Sequence, residues 1–407
     1  MYILTVVIIC YICAVLYTLH VVPIKCAYAF TAGVCEWIWL KSSRTGTPQA
    51  MGHLAFKSAN RCGIACVKGA QLFVSGRTYL HPDFVTAFQA VYDNNTPDWG
   101  SSKIPDYVSW KLDKVEKIPF AIGSICRVHI GYLGSEKYAV KLVNRYVAFE
   151  LSQWRAFDRA LAYLSFLPLI RQITPFTRNI NDQLTMQLDL KREARNYNTF
   201  RRNFRQMTEV CFPKPIWVSP QALIMEYLPG TPLQQLSPNL QAEAGLVLFR
   251  VLLQMILMDG FVHADIHLGN LAYAKGQLII YDTGLVVHID LKTRALVKRM
   301  LLSLCNRDET LIAALFKELS TLEVITDDMI ARDIRVLMDL VDTENITEVF
   351  RTLLDLNTRY QIKRFDALAL LLNIMVSGIR IVALLRPSEN IFQFISSELA
   401  LFVLFHS

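Results

Sequence analysis

Residues 261–284, FVHADIHLGNLAYAKGQLIIYDTG, constrain the fold of this chain more than any other stretch. Asp265, Asn270 and Asp282 stand at the ends of short apolar runs, among turn residues and histidines. Short apolar runs bounded by turn residues are typical of buried strands. Two interpretations are open at this point: a metal–phosphate site carried on the loops, or polar loops whose Asx side chains cap turns.

The composition favours contact with a membrane. Of the 407 residues, 53% are hydrophobic and 19% are charged, whereas ordinary soluble domains carry about a quarter charged residues. The net charge of +7 is mild, and the basic residues are scattered apart from KREARNYNTFRR at 191–202. We therefore expect a membrane lipid or a lipid-like small molecule as the partner, and no nucleic acid.

The N-terminal run from 2 to 23 contains no Asp, Glu, Lys or Arg. A bilayer span takes about 20 such residues, so we predict an uncleaved transmembrane anchor over 1–24. A cleaved signal peptide is the alternative, but a basic n-region is absent and the apolar core is longer than usual. Lys25, Lys41 and Arg44 follow the run, which predicts a single-pass protein whose body faces the cytoplasm or matrix.

The rest of the chain alternates between strand-like and helical patterns. Residues 114–144 alternate apolar and polar side chains around glycine turns, which is typical of a strand meander. Helical patterns follow, then two short strands, then a long apolar helix that leads into residue 261. We predict an α+β, bilobal fold with a cleft at the junction. Its segments are a helical extension at 47–110, an N-lobe at 111–230 and a helical C-lobe at 231–407.

The polar residues match the needs of phosphoryl transfer. That chemistry uses a Lys on the phosphates, a carboxylate at the acceptor, and an Asp with an Asn on Mg²⁺. Asp265 and Asn270 have the spacing of the H-R-D-x-x-x-x-N loop of kinases, and Asp282 follows an apolar run as the Asp of D-F-G does. Lys141 in YAVK matches the lysine of V-A-I-K. Each motif alone is weak, but their order favours a kinase-like site.

With these motifs, the chain resembles the UbiB/AarF-domain family of atypical, protein-kinase-like ATPases, several of which serve ubiquinone biosynthesis. HADIHLGN is similar to the family's H-A-D-x-H-P-G-N, and QLDLKREARN to its E-x-D-x-x-x-E-A-x-N helix. VKGAQ is similar to its K-x-G-Q motif, which lies in an N-terminal helical extension over the cleft. The resemblance implies a protein-kinase-like fold, ATP and Mg²⁺ as cofactors, and a role in quinone or lipid metabolism.

The resemblance also implies a role for each matching residue. Lys141 would bind the α- and β-phosphates and pair with Glu193. Asp265 would orient the acceptor or act as a base, and Asn270 and Asp282 would hold magnesium. Further positions would cover the triphosphate (Ala121, Ile122, Gly123 and Ser124), hold the adenine edge (Glu226 and Tyr227) or belong to the inhibitory extension and its contact (Lys68, Gln71 and Gln187).

The chain departs from the family at several of these motifs. Leu268 replaces the proline of the catalytic loop, and Gln187 replaces the first glutamate of E-x-D. Thr283 replaces the phenylalanine of D-F-G and cannot fill its hydrophobic position, so an in/out switch of that loop is not expected. His263 is interpreted as a hydrogen-bonding group that holds the catalytic loop.

Three other functions are compatible with the motifs in different degrees. A small-molecule kinase of the aminoglycoside-phosphotransferase kind shares the same loops, although the long extension speaks against it. A catalytically dead scaffold is the non-enzyme alternative. An ordinary protein kinase is disfavoured, because no long activation segment and no A-P-E motif follow Asp282.

Overall fold

The structure is a computed structural model of the chain. It describes residue 36 and residues 46–62, 67, 83–84, 87, 104–123, 125–144, 147–163, 165–166, 168–322, 326–342, 346–362 and 365–405. The predicted membrane anchor at 1–24, Lys68, Gln71 and Ser124 lie outside these residues.

Helices and strands alternate as far as residue 288, and helices alone follow. In chain order the elements are α1 Pro48–Cys62, α2 Asp106–Ser109, β1 Lys114–Val115, β2 Ala121–Ile122, β3 Cys126–Leu133, β4 Glu136–Val143, α3 Val147–Tyr163, α4 Pro168–Leu188, α5 Leu190–Asn203, β5 Val210–Cys211, β6 Pro215–Val218, β7 Ala222–Glu226, β8 Thr231–Pro232, α6 Pro238–Leu253, β9 Phe261–His263, β10 Leu271–Ala274, β11 Gln277–Ile280, β12 Val286–His288, α7 Leu291–Cys305, α8 Glu309–Leu319, α9 Asp327–Asp342, α10 Ile346–Arg359, α11 Phe365–Leu385 and α12 Ile391–Phe405.

The chain divides into two compact units. The first contains the described residues up to Arg192 together with Pro215–Tyr227, and the second contains Glu193–Lys214 together with the described residues from Leu228 onward. The segment 193–214, which the sequence boundaries place in the N-lobe, thus belongs to the second unit. The reason is aromatic packing: Phe200 on α5 stacks on Phe212 at 5.1 Å between ring centroids and contacts Phe261 at 4.7 Å.

The first unit is built on one antiparallel sheet. Its strand order is β1-β3-β4-β7-β6, with β2 paired to β3. Strands β1 to β4 lie within the predicted meander at 114–144, and β6 and β7 are the two predicted short strands, so these predictions are confirmed. Gly134 turns β3 into β4 with φ 59°, a conformation that favours glycine, and its N–H donates to Asp113 Oδ2 at 2.7 Å.

One face of this sheet carries the core of the first unit. The buried cluster contains Val108, Leu112, Val140, Leu142, Ala222 and Ile224. Short helix α2 supplies Val108, and alternate positions of β4 and β7 supply four further members, because every second side chain of a strand points to the same face. The opposite face of the same strands is the one that carries Lys141.

Helices α3 and α4 form an antiparallel hairpin in the first unit. The hydroxyl of Thr177 donates to Asp158 Oδ1 at 2.7 Å, and Arg155 Nη2 donates to Thr185 Oγ1 at 3.0 Å. These two hydrogen bonds fix the register of the pair, because each joins one residue of α3 to one of α4.

The second unit contains two small sheets and eight α-helices among its described residues, counting α5. Strands β5, β11, β10 and β8 form one sheet in that order, with β5 parallel to β11, and β12 pairs with β9 in the other. From α7 to α12 the described residues form helices and their connections, apart from an isolated bridge between Ser320 and Ile362.

The long apolar helix before residue 261 is the central helix of the second unit. It is α-helical to Leu253 and continues as a π-helical turn over Gln254–Asp259, ending at Gly260 with φ 60°. Pro238–Asp259 is the one helix in the described part of the chain that is long and apolar enough to cross a bilayer, but 56% of its apolar window is buried within the protein. Burial of this kind is typical of the core helix of a globular domain.

Candidate active site

Strand β9 and the loop after it place Asp265 and Asn270. Strand β9 pairs with β12 from His263 to Phe261, and the ladder is extended by the hydrogen bond from Ala264 N to Leu285 O at 3.0 Å. Asp265 is the second residue after the strand. Asn270 closes a 3₁₀ turn, and its N–H donates to His267 O at 2.9 Å.

The amide side chain of Asn270 crosses this loop. Its Nδ2 donates to the carbonyl oxygen of Asp265 at 3.1 Å, and Asn270 is 8% exposed. The backbone carbonyl of Asn270 accepts the N–H of Tyr281, the residue before Asp282, at 2.8 Å. Asp265, Asn270 and Asp282 are therefore brought to one place within the second unit, as the spacing of the motifs predicts.

His263 contacts both the loop that carries Asp265 and the segment that leads to Asp282. It is fully buried; its Nδ1 accepts the N–H of Asp265 at 3.1 Å, and its Nε2 lies 3.4 Å from Tyr281 O. Burial lowers the pKa of His263, against the opposing effect of the carboxylates of Asp265 and Asp282. A neutral ring with the proton on Nε2 satisfies both contacts, which confirms its interpretation as a structural hydrogen-bonding group.

Asp282 adopts a backbone conformation that is uncommon for a side chain with a Cβ. Its φ is 52°, and its Oδ1 accepts the N–H of Gly284 at 3.3 Å. Asp is among the residues that tolerate the left-handed region, partly because the carboxylate can hydrogen-bond to the backbone two residues ahead. A strained residue held firmly by its surroundings is typical of functional sites.

Helix α5 holds the Asp282 turn through three hydrogen bonds. The hydroxyl of Tyr197 accepts the N–H of Asp282 at 2.8 Å, and Asn196 Nδ2 donates to Thr283 O at 2.7 Å. The third runs from the Thr283 hydroxyl to the carbonyl oxygen of Glu193 at 3.3 Å. Thr283 is fully buried. We call these contacts the α5 anchor.

The α5 anchor explains the departure from D-F-G. Where the family has a phenylalanine, Thr283 uses its hydroxyl to bond the helix that also carries Glu193 and Asn196. Asn196 and Tyr197 are not among the residues for which the sequence predicts a role. The signal that points to Asn196 is its place in the E-A-x-N part of the helix motif, whereas Tyr197 follows that motif and has no such signal.

The donor atoms in this part of the second unit fit a magnesium ion. Mg²⁺ prefers oxygen ligands, and Asn270 and Asp282 offer an amide and a carboxylate. Because Asn270 Nδ2 is engaged by the Asp265 carbonyl, the amide oxygen is the atom of that side chain that can face a cation. Among the described residues there is no group of three or more His, Cys, Asp or Glu side chains that could hold a metal. Two protein ligands are enough for Mg²⁺, which usually takes further oxygens from phosphate and water.

In the first unit, Lys141 lies in the middle of the sheet. It is 6% exposed on β4, opposite Val128 of β3 and Leu223 of β7. Val128 in turn pairs with Ala121 of β2. Since cross-strand partners point to the same face, Lys141 and Ala121 share one row on the face away from the hydrophobic core.

The loop predicted to cover the triphosphate turns sharply after β2. Ala121, Ile122 and Gly123 are exposed, and the N–H of Gly123 donates to Cys126 O at 2.8 Å. Asn144 Nδ2 lies 3.4 Å from Gly123 O and steadies the turn from the end of β4. Their predicted role stays a prediction, as does that of Ser124.

The sequence predicts roles for four further positions: Glu226, Tyr227 and Gln187 in the first unit, and Glu193 in the second. Glu226 ends β7 opposite Tyr138, and the ring of Tyr227 meets Phe120 edge-on at 5.8 Å between centroids. Gln187 is half-buried near the end of α4. The side chain of Glu193 is 1% exposed on α5 in the second unit. Its pairing with Lys141 and the contact of Gln187 with Lys68 stay predictions.

The sheet with its central lysine and the loops that carry Asp265, Asn270 and Asp282 define a kinase-like protein. Residues 101–316 match the family model described as the ABC1 atypical kinase-like domain. Since this match covers more than half of the 407 residues, the chain belongs to the ABC1 (UbiB) family of atypical kinase-like proteins.

The proteins to which the chain is similar include curated sequences and solved structures. An uncharacterized protein of Synechocystis sp. is 28% identical over 62% of this chain and 69% of its own length. A probable protein kinase UbiB of Azotobacter vinelandii is 26% identical over 69% of this chain and 56% of its own. A Mycobacterium tuberculosis protein solved in complex with erythromycin has a TM-score of 0.53 at 17% identity, over 78% of this chain and 87% of that one.

These similarities differ in how much they support about the fold and the function of this chain. At 17% identity the solved structure supports the kinase-like fold alone. The chain spans about half the length of the UbiB relative, at 56%. The activity, substrates and partners of the whole protein are therefore matters of proposal.

Proposed function

We propose that this chain is a MgATP-dependent phosphotransferase or ATPase of the UbiB type. The observation that carries the proposal is that hydrogen bonds hold all three residues: Asp265 to buried His263, Asn270 to the Asp265 carbonyl, and Asp282 to buried Tyr197. Polar loops that merely cap turns have no need of a buried histidine beneath them or of an anchor on a separate helix. The membership of the chain in an atypical kinase-like family supports the same proposal.

Each residue would have a distinct task in the reaction. Asp265 would accept the hydrogen bond of the acceptor hydroxyl, or of a water, and so align its oxygen with the γ-phosphorus. Asn270 and Asp282 would hold magnesium, which neutralises charge on the phosphate oxygens when it is bound. Lys141 would stabilise the α- and β-phosphates. His263, being neutral and fully buried, would keep Asp265 in position and take no proton itself.

The acceptor in this proposal is a membrane lipid or a lipid-like small molecule, and the kinase-like body faces the ATP-containing side of a membrane. The support is compositional: 53% of the residues are hydrophobic, 19% are charged and the net charge is +7. Such a balance suits work beside an anionic lipid surface.

MgATP binding is the first test of the proposal. A ligand that binds the folded state alone stabilises it by mass action, so millimolar MgATP should raise the unfolding temperature of the full chain. Lys141→Ala and Asp282→Ala should abolish the rise. Asp265→Ala should keep the rise and lose turnover, because Asp265 acts on the acceptor rather than on the nucleotide. Lys137→Ala is the matched control, since Lys137 is an exposed lysine on the same strand.

The outcomes separate the enzyme from its alternatives. An unchanged unfolding temperature with MgATP would contradict the proposal and favour a scaffold. Loss of the rise in Lys137→Ala would mean that general charge on the strand, and not the buried Lys141, governs the effect.

A further inference from the structure

The tip of the α3–α4 hairpin exposes apolar side chains to water. Tyr163, the last residue of α3, is 85% exposed, and Phe166 in the turn that follows is 76% exposed. From residue 160 to residue 170 the chain contains no Asp, Glu, Lys, Arg or His. We define the hairpin tip by its described residues, 161–163 and 165–166.

Single exposed apolar residues are common, but Tyr163 and Phe166 are exposed only three residues apart, in a stretch that has no charged side chain. Away from the tip, α3 and α4 contact each other through polar pairs, Asp158 with Thr177 and Arg155 with Thr185. Elsewhere in the hairpin the apolar side chains of Leu151, Ile180 and Leu184 are buried, whereas the rings of Tyr163 and Phe166 at its end are exposed to water, a poor environment for them.

Arginines lie on both sides of the tip. Arg159 directly precedes the last turn of α3 and Arg171 is on the first turn of α4, and both are exposed. Between residues 155 and 178 the sequence has four arginines and one aspartate, and that aspartate, Asp158, accepts the hydrogen bond of Thr177. The surroundings of the tip are therefore cationic.

We propose that the hairpin tip inserts into the interface of an anionic lipid bilayer. Tyrosine and phenylalanine rings would enter the boundary between headgroups and acyl chains, where amphipathic and aromatic side chains are favoured. Arg159 and Arg171 would extend along the tip so that their guanidinium groups reach lipid phosphates. Exposed rings bordered by arginines match the chemistry of an anionic bilayer, in which lipid phosphates lie directly beside the acyl chains. The proposal does not depend on phosphoryl transfer, so a failure of either leaves the other open to its own test.

Tryptophan fluorescence tests the insertion in the full chain. Phe166→Trp places a reporter at the tip, and Phe149→Trp places one at the other end of α3, where Phe149 is 62% exposed. Each variant is mixed with vesicles of phosphatidylcholine and phosphatidylglycerol, with or without bromine on the acyl chains, and wild-type emission is subtracted. Both substitutions are at exposed positions and leave the core unchanged.

We expect the added emission of Phe166→Trp to shift to shorter wavelength with vesicles and to be quenched by the brominated lipid. The added emission of Phe149→Trp should neither shift nor be quenched. Neutralising the border with Arg159→Gln and Arg171→Gln should remove the dependence of the quenching on phosphatidylglycerol. Emission from position 166 that is the same with brominated and ordinary lipid would overturn the proposal. Equal quenching at 149 and 166 would overturn it too, because the whole helix rather than the tip would then lie on the lipid.

Discussion

Substitution of Tyr197 by phenylalanine isolates the α5 anchor from the rest of the fold. Tyr197 is fully buried, and its hydroxyl accepts the N–H of Asp282 at 2.8 Å. The variant removes one oxygen atom and leaves the ring, so the apolar packing of α5 is kept. What it takes away is the acceptor that holds the backbone of Asp282 at φ 52°.

The size of the effect follows from the group that loses its partner. A buried backbone N–H left without an acceptor costs about 1–3 kcal/mol, and the lower end of that range, about 1 kcal/mol, applies to the part-buried N–H of Asp282. For a domain of roughly 200 residues, this corresponds to a fall of about 2–4 °C in unfolding temperature per kcal/mol. If part of the same energy is needed to hold Asp282 in position for the cation, MgATP affinity should fall as well, by tenfold for about 1.4 kcal/mol.

Tyr273→Phe is the matched control for Tyr197→Phe. The hydroxyl of Tyr273 donates to Glu243 Oε1 at 2.7 Å, also in the second unit, but at a contact that involves none of the predicted ligands. The unfolding temperature is measured for each variant with and without MgATP. We expect both variants to lose stability and Tyr197→Phe alone to lose part of the MgATP-induced rise. If the two variants respond to MgATP equally, the α5 anchor does not position Asp282 and the reasoning is refuted.

Three further predictions concern Thr283, His263 and Gly260 in the second unit. Thr283→Val, which keeps the shape and removes the hydroxyl bonded to Glu193 O, should lower the free energy of unfolding by about 1 kcal/mol; denaturant unfolding equal to wild type would contradict this. Burial lowers the pKa of His263 below its ordinary 6.5. The folded protein therefore keeps the ring neutral where the unfolded chain takes a proton, and stability that is present above pH 6.5 is lost below it, by at most about 1.4 kcal/mol per pH unit. An NMR titration of the His263 ring with a midpoint at its ordinary value would speak against that. Gly260→Ala should destabilise by roughly 1–3 kcal/mol, because φ is 60° and the added Cβ would lie 2.5 Å from Ile289 O; a wild-type urea midpoint would show the turn to be unstrained.

The loops that carry Asp265, Asn270 and Asp282 were predictable from local sequence patterns. Asp265, Asn270 and Asp282 are separated by short apolar runs and turns, and such spacing fixes which residues meet once the strands pair. The meander at 114–144 was predictable for a similar reason, since its alternation and its glycine turns are local. Lys141 lies on a strand of that meander, in agreement with the sequence prediction.

Contacts between distant segments could not be read from the sequence. Asn196 Nδ2 donates a hydrogen bond to the carbonyl oxygen of Thr283, 87 residues away, and the hydrophobic periodicity of the two segments does not predict that they meet. The π-helical turn at Gln254–Asp259 was missed because its apolar residues continue the period of α6 without interruption. The assignment of 193–214 to the second unit depends on aromatic packing with residues that follow much later in the chain, such as Phe261.

Single-turnover phosphate release with Asp265→Asn tests the central claim most directly. The full chain is mixed with radiolabelled MgATP in lipid vesicles, and both the bound nucleotide and the γ-phosphate released or transferred to lipid are measured. The account predicts that wild type binds MgATP and turns it over, and that Asp265→Asn binds it with similar affinity and does not. Turnover by Asp265→Asn at the wild-type rate, or a wild type that binds MgATP and neither releases nor transfers the phosphate, would contradict it.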